Sequence, residues 1–392
     1  MSKLEQLIKE LCPDGVEYKK LGDICTFKKG NSITKKNTIE GDIPVIAGGQ
    51  EPAYFINKSN RSGRNITISS SGAYSGFVSF WEVPIFVSDA FTIESNEESD
   101  IKYLYYFLKN KQYILYSMQK GGGVPHVYAK DVSRLVIPLP PLEIQKEIVR
   151  ILDNFTELTA ELTAELTARQ KQYEYYRDKL LTFGDEVPFY KVGDLFEFKN
   201  GINKAKRFFG KGTPIVNFTD VYNNNSMNKE TLQGRVEVTE NELIRFEVRK
   251  GDVFFTRTSE TKEDIGMTSV LLEDVGKCIF SGFVLRARPK TNLLLPKYCV
   301  YCFSSHEIRK EIVRYSTYTT RALTNGRVLS SVNIPVPPLA QQERIVTILD
   351  KFHTLVNDIS IGLPAEIEAR NKQYEYYRDK LLTFKELDVR EA

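Results

Sequence analysis

The sequence predicts an α+β protein. Two mixed α/β domains are separated by two long antiparallel helices, a coiled coil, in a pseudo-two-fold internal repeat. Three observations lead there. Residues 169–183, RQKQYEYYRDKLLTF, recur at 370–384 as RNKQYEYYRDKLLTF, with Gln170 exchanged for Asn371. Other segments repeat in the order block, helix, block, helix. Finally, the blocks carry apolar residues at period two, and the connectors carry them every three or four positions.

The blocks come first. YKKLGDICTFKKG at 18–30 aligns with YKVGDLFEFKNG at 190–201, placing Gly22 on Gly193, Asp23 on Asp194, Phe27 on Phe198 and Gly30 on Gly201. IPLPPLEIQKEIVRILDNF at 137–155 aligns with IPVPPLAQQERIVTILDKF at 334–352. The offset grows from 171 to 197 between these anchors, so the second block holds 26 more residues. Runs such as NITISSSGAYSGFVSFWEVPIFVSDAFTI, GDVFFTRTSETKEDIGMTSVLL and KCIFSGFVLRARP predict short strands punctuated by turns. Each block also holds a late helical stretch, at 101–118 and 295–316. The segments are 1–138 (first block), 139–184 (first helical connector), 185–335 (second block) and 336–392 (second helical connector).

The connectors follow. After Pro140-Pro141, residues Ile148, Ile151, Leu152, Phe155, Leu158, Leu162 and Leu166 form a stripe that Tyr173, Tyr176 and Leu180 continue. No Gly or Pro interrupts 142–183, which predicts one helix roughly 60 Å long. The second connector opens alike, with Ile345, Ile348, Leu349, Phe352 and Leu355, but Gly362-Leu363-Pro364 predicts a break or kink. It is also four residues longer, the offset rising to 201. Two such stripes most simply bury each other, so Leu158, Leu162, Leu166, Tyr173, Tyr176, Tyr374 and Tyr377 are candidates for helix packing or partner docking. The tetrad TAEL stands at 159–162 and again at 163–166. It serves either as generic helix or as an adjustable spacer. One tetrad adds about 6 Å and a net rotation of ~40°; the rotation nearly matches one DNA base pair, roughly 34–36°, whereas the translation exceeds its rise of about 3.4 Å, so some accommodation is needed.

Composition narrows the class. The 392 residues are 41% hydrophobic and 27% charged, an ordinary globular balance with room for two cores. No apolar run approaches the roughly 20 residues that span a bilayer, and the amphipathic start is not a signal peptide. Five scattered cysteines point to a reducing, cytoplasmic setting. The net charge of +3 is unevenly spread. The first block holds 17 Lys and Arg against 15 Asp and Glu, and the second 23 against 18, while both connectors are mildly acidic. A polyanion would favour the blocks.

Enzyme signatures are absent. The three histidines, His126, His306 and His353, are far apart, and there is no HExxH, GxSxG or P-loop. Cys299 and Cys302 form a CxxC, but they align with Leu104 and Phe107 of the first block, which predicts buried thiols instead of metal ligands. No metal site is expected. Gly121-Gly122-Gly123 and the corresponding Thr319, Thr320, Arg321 and Gly326 form polar loops, either plain connections or places where backbone approaches phosphate.

Basic and polar clusters are the remaining candidates. For DNA contact they are Lys28, Lys29, Asn31, Lys35, Lys36, Arg61, Arg64, Ser70 and Tyr74 in the first block. In the second they are Lys199, Asn200, Lys204, Lys206, Arg207, Arg257, Thr258, Ser259 and Arg321. Lys and Arg supply phosphate contacts, and Arg and Asn can also read base edges. For any single lysine the plainer alternative is solvated surface charge.

Taken together, the LGDI-type openings, the IPLPPL and IPVPPL endings, the QKEIVRILDNF and QQERIVTILDKF helix starts, the TAEL tetrads and the doubled KQYEYYRDKLL resemble the specificity subunit of type I restriction–modification systems. The tetrads resemble the IC-like branch, and the likeness spans nearly the whole chain. It implies that each block is a target recognition domain reading one half of a split double-stranded DNA target. The helices would set the gap and seat two modification (methyltransferase) subunits. Those partners would use S-adenosylmethionine, and restriction subunits would use ATP and Mg; this chain would carry no cofactor and catalyse nothing. Unlike blocks imply an asymmetric target. The doubled helix end then reflects two identical docking surfaces, with recent duplication as the competing account. A protein–protein scaffold without DNA specificity is the rival function.

Overall fold

The structure is a computed structural model that describes residues 2–357 and 361–387. The ends of the expected segments at Met1 and 388–392, and the stretch 358–360 of the second connector, lie outside the described residues. The chain divides into two compact units, Met1–Thr163 with Glu366–Ala392, and Ala164–Ala365. Each unit thus combines a block, the beginning of its own connector and the end of the other one.

The first unit opens with α1 (Lys3–Leu11), started by a capping box in which the Ser2 hydroxyl accepts from Glu5 N and the Glu5 carboxylate accepts from Ser2 N. Strands β1 (Glu17–Lys20), β2 (Cys25–Lys29), β3 (Ile43–Ile46), β4 (Asn65–Ser69), β5 (Val78–Trp81), β6 (Phe86–Val87) and β7 (Ala90–Ser95) follow. An antiparallel sheet forms in the order β2-β7-β4-β5, and β3 runs parallel to β6. Every residue of β4 is buried, because this central strand is covered on both faces. The helical stretch expected at 101–118 is two helices, α2 (Ile101–Asn110) and α3 (Gln112–Ser117). Strand β8 (Val136–Leu139) pairs with β1 and leads into α4 (Leu142–Leu180), 39 residues without a break.

The second unit repeats this frame. Its elements include β9 (Phe189–Lys191), β10 (Phe196–Asn200), β11 (Phe209–Val216), α5 (Phe218–Asn223), β12 (Ser226–Met227), β13 (Val253–Thr256), β14 (Thr268–Leu271), β15 (Ile279–Phe280), β16 (Val284–Pro289), α6 (Pro296–Ser304), α7 (His306–Tyr315), β17 (Asn333–Pro335) and α8 (Leu339–Asn357), while the last helix, α9 (Leu363–Leu381), belongs from Glu366 onward to the first unit. The sheet order is β10-β16-β13-β14-β12, with β11 parallel to β15 and β9 antiparallel to β17. Most of the additional residues of this block lie between β11 and β13, where α5 and β12 stand. The expected break of the second connector falls between α8 and α9, and Pro364 sits in the first turn of α9, where its missing N–H costs nothing.

The repeated motifs find their reason in close packing. A Cβ on Gly30 would come within 2.3 Å of the Ser88 carbonyl oxygen, and one on Gly201 within 2.1 Å of that of Ser281. Only glycine fits where these strands cross their neighbours.

A polar joint fastens block to helix in both units. The buried Gln145 side chain donates to Pro140 O at 2.7 Å and Glu98 O at 3.0 Å, and accepts from Asp100 N at 2.8 Å. Gln342 does the same with Pro337 O, Leu293 O and Leu295 N. Asp153 accepts from Lys102 at 2.8 Å and from the Tyr106 hydroxyl at 2.5 Å; Asp350 accepts from Lys297 and Tyr301, each at 2.6 Å. Each charged hydrogen bond of this kind contributes about 1.5–3 kcal/mol. Cys299 and Cys302 lie in the core, as their alignment with Leu104 and Phe107 predicts, and burial pushes the Cys302 thiol up to about 12.

Within each unit the connector segments pack antiparallel. In the first, Phe155 of α4 meets Tyr374 and Tyr377 of α9 at 6.4 and 5.6 Å between ring centroids. In the second, Tyr173 and Tyr176 of α4 meet His353 and Phe352 of α8 at 6.2 and 5.8 Å. The expected leucine seam fades in the tetrads: Leu152 is fully buried, Leu158 is 46% exposed, and Leu162 and Leu166 are partly exposed. A leucine every four residues precesses by about 40° per repeat and cannot hold one face.

Candidate nucleic-acid interface

Both units carry the same pair of loops at one end of the sheet. In the first, Ser70 N donates to Asp89 O, and Val127 N donates to Ser70 O. In the second, Arg257 N donates to Phe283 O, and Thr324 N donates to Arg257 O. Ser70 and Arg257 are therefore equivalent positions. Each sits where the loop after the central strand meets the 120–128 or 317–325 segment, with bridges Ser71 to His126 and Thr258 to Leu323. The loop after the central strand runs over 70–75 in one unit and 257–265 in the other.

In the second unit the structure gathers the sequence candidates into two clefts. One, about 550 Å³, brings Lys199, Asn200 and Arg257 together with Lys290, Asn325 and Arg327. Glu197 is its acidic lining residue, so the cleft is strongly positive. The other, about 390 Å³, brings Thr258, Ser259 and Arg321 to the aromatic wall of Phe218, Tyr222 and Phe283. Phe218 and Tyr222 stack at 5.5 Å, being one helical turn apart on α5. Ser259 is only 9% exposed; the accessible polar lining is Thr258, Thr261 and Arg321 together with the carboxylates of Glu260 and Asp264, so this cleft, unlike the first, is not cationic.

In the first unit the corresponding cationic positions are Lys28, Lys29 and Lys130, matching Lys199, Asn200 and Arg327. Ser70 and the 46% exposed Tyr74 lie on the loop, and Asn31 lies beside it, its N donating to Val87 O. The Ser71 hydroxyl donates to Asp89 at its centre. Basic turns also match: Lys35 and Lys36 stand in one 3-10 turn, Lys206 and Arg207 in another, all exposed.

Two candidates are engaged within their own unit. Arg61 donates to Lys28 O, Lys29 O, Asn60 O and the Thr92 hydroxyl, so its guanidinium is spent tying down the edge of the sheet. Lys204 is held by Glu237 O at 2.8 Å and the Glu242 carboxylate at 2.6 Å, over the Phe208 ring. Lys28 and Arg64 are exposed but ion-paired with Glu94 and Glu82. The clefts also contain Phe218, Tyr222, Phe283, Lys290 and Arg327, which the sequence candidates did not include; the i, i+4 aromatic pair on α5 was the one legible signal among them.

The doubled helix end is also clarified. Tyr173 and Tyr374 pack inward, whereas Tyr176 and Tyr377 are 38% and 39% exposed. The residues facing out most fully are Tyr175 and Tyr376, at 60% and 62%. The two copies thus show solvent matched faces. One polar member is engaged within its unit: Asp178 accepts from His306 N at 2.9 Å, capping α7.

Among the described residues no helix is long and apolar enough to cross a membrane, and no group of three or more His, Cys, Asp or Glu could hold a metal ion.

The profile of the type I restriction modification DNA specificity domain matches residues 13–169 and 184–369. The chain is 32% identical to the type I restriction enzyme EcoR124I/EcoR124II specificity subunit of Escherichia coli, covering 98% of each chain. It is 30% identical to a putative type I restriction enzyme specificity subunit of Haemophilus influenzae, covering 94% of this chain and 96% of that one. In fold it resembles the crystal structure of a type I restriction-modification S subunit from M. genitalium, with TM-score 0.59, 16% identity and 94% and 96% coverage. It resembles likewise a chain from a structural study of type I R-M complex assembly and conformational transition, with TM-score 0.62, 16% identity and 94% and 98% coverage. Two copies of a DNA specificity domain, joined through helices that carry no catalytic constellation, make this chain a member of the type I restriction–modification specificity-subunit family, the non-catalytic subunit that recognises the DNA target.

Proposed function

We propose that each unit reads one half of an asymmetric, bipartite double-stranded DNA target. The connectors set the gap, and the two KQYEYYRDKLL helices seat two modification subunits in the cytoplasm. The observation that carries this reading is the recurrence of basic residues at matched positions of the two repeats, Lys28 with Lys199, Lys130 with Arg327 and Lys35-Lys36 with Lys206-Arg207, of which Lys199 and Arg327 line one cleft with Arg257. Matched cations position two readers alike on a phosphate backbone. Unlike loop contents then read unlike sequences. The second unit presents Arg321, Thr258 and an aromatic wall, while the first presents Ser70, Tyr74 and Asn31 with Asp89 close behind.

Seating of the partners is supported by the equal exposure of Tyr175 and Tyr376 on the doubled helix, since identical partners need identical seats. In this reading S-adenosylmethionine binds the modification subunits, and ATP and Mg bind the restriction subunits.

The test is an electrophoretic mobility shift with the full chain and its methyltransferase partner, after the methylated motif of the source genome is mapped. Oligonucleotides carrying the motif should shift at lower protein concentration than shuffled ones. Equal shifts for both, or none, would leave the chain a scaffold.

A further inference from the structure

The loops 70–75 and 257–265 each return through a glycine of positive φ, Gly76 at 91° and Gly266 at 69°. Gly76 N donates to Ser69 O, and Gly266 N donates to Thr256 O, so the two returns are equivalent. Beneath each return stands a polar side chain of the neighbouring helix, joined in the first unit by Gln119, just past α3, which donates to Ser75 O at 2.9 Å. In the first unit, Gln112 of α3 donates to Gly76 O at 2.6 Å and accepts from Val78 N at 3.0 Å. In the second, Arg309 of α7 donates through Nη2 to Glu263 O at 2.6 Å.

These two residues occupy one position of the repeat. Three residues further on, a Cβ on Gly76 would meet Leu115 O at 3.0 Å, and one on Gly266 would meet Ile312 Cγ2 at 2.8 Å. Residues 112 and 309, like 115 and 312, are separated by the offset of 197 that relates the block endings.

Arg309 is an expensive choice for a merely packed side chain. Its Nη1 is buried with no partner among the described residues. Burial works against its charge, while the nearby Asp264 carboxylate favours it. An apolar residue would fill the space without leaving a buried donor unmet. What the guanidinium adds is a fixed bond to the loop, and the helix that carries it is itself anchored, through His306 N, to Asp178.

We propose that Gln112 and Arg309 are positioning residues for DNA specificity, each fixing the shape of its own unit's presenting loop without touching DNA. This rests on the DNA-reading assignment above. A fixed loop discriminates because its polar groups cannot rearrange to suit a wrong base. A loosened loop loses discrimination at its own half-site and nowhere else.

The test maps methylated motifs made by the full complex carrying wild-type chain, R309M or Q112M. R309M should relax discrimination by about tenfold at one half-site, and Q112M should do so at the other, with gap length unchanged in both. Less methylation at an unaltered motif, or both variants relaxing the same half-site, would overturn the clamp. Where R309M does not assemble, R309Q decides: one relaxed half-site supports the clamp, and an unaltered motif overturns it. A wild-type complex that methylates no bipartite motif would instead remove the DNA-reading assignment, and the clamp with it.

Discussion

Glu147 joins the amphipathic α1 to the first turns of α4. It accepts from Lys3 at 3.0 Å and from Arg150 at 2.6 Å, and its side chain is 4% exposed. The hydrogen bonds from Arg150 and then Lys3 hold its carboxyl at about 2, below its ordinary 4.5, against the opposing pull of burial. A depressed carboxyl stabilises the fold above its unfolded pKa, and the benefit disappears as pH falls from about 4.5 towards 2. E147Q should therefore cost about 1 kcal/mol at pH 7, with the difference from wild type closing near pH 2. Urea unfolding midpoints across that range check it, and a pH-independent difference would refute the pairing. Single residues were also where the sequence was least legible. Arg61 and Lys204 look like phosphate ligands in a string of letters, yet carbonyls, a hydroxyl and a carboxylate brought from 31 to 38 residues away along the chain engage them. No local pattern announces such long-range partners.

Elements were far more legible. The uninterrupted α4, the interruption before Pro364 and most strands followed from periodicity and from Gly and Pro, because these signals are local. The splits of the late helical stretches at Lys111 and Ser305 were not foreseen, since the apolar stripe continues across both. The tetrads have a further property in three dimensions. Thr156, Thr159 and Thr163 each donate to the carbonyl four residues earlier, at 2.9, 2.8 and 2.8 Å. A tetrad thus satisfies its own hydroxyl, and adding or removing one leaves no polar group stranded. Deleting Thr159–Leu162 shortens α4 by about 6 Å and rotates its far end by ~40°. The spacing between methylated half-sites should change while both half-site sequences stay the same; motif mapping that finds altered half-sites would refute the spacer.

For the molecule entire, the proposed seating of two modification subunits on the doubled helix end has a direct test. Y175A should remove one modification subunit and Y376A the other, so native mass spectrometry should find two partners falling to one in each single variant and none in the double. Two partners retained in the double variant would sink that assignment. The repeat, the order of blocks and helices, the family and the lack of a catalytic constellation all stood in the linear order of residues, because period, spacing and motif are properties of neighbours. Tertiary structure alone decided that each compact unit is closed by the end of the other connector, and that Gln145 with Gln342 and Asp153 with Asp350 form the joints. It also decided which cations remain available to a ligand. Those outcomes depend on which distant groups meet in space, and hydrogen-bond capacity, once taken by a distant partner, is no longer there for DNA.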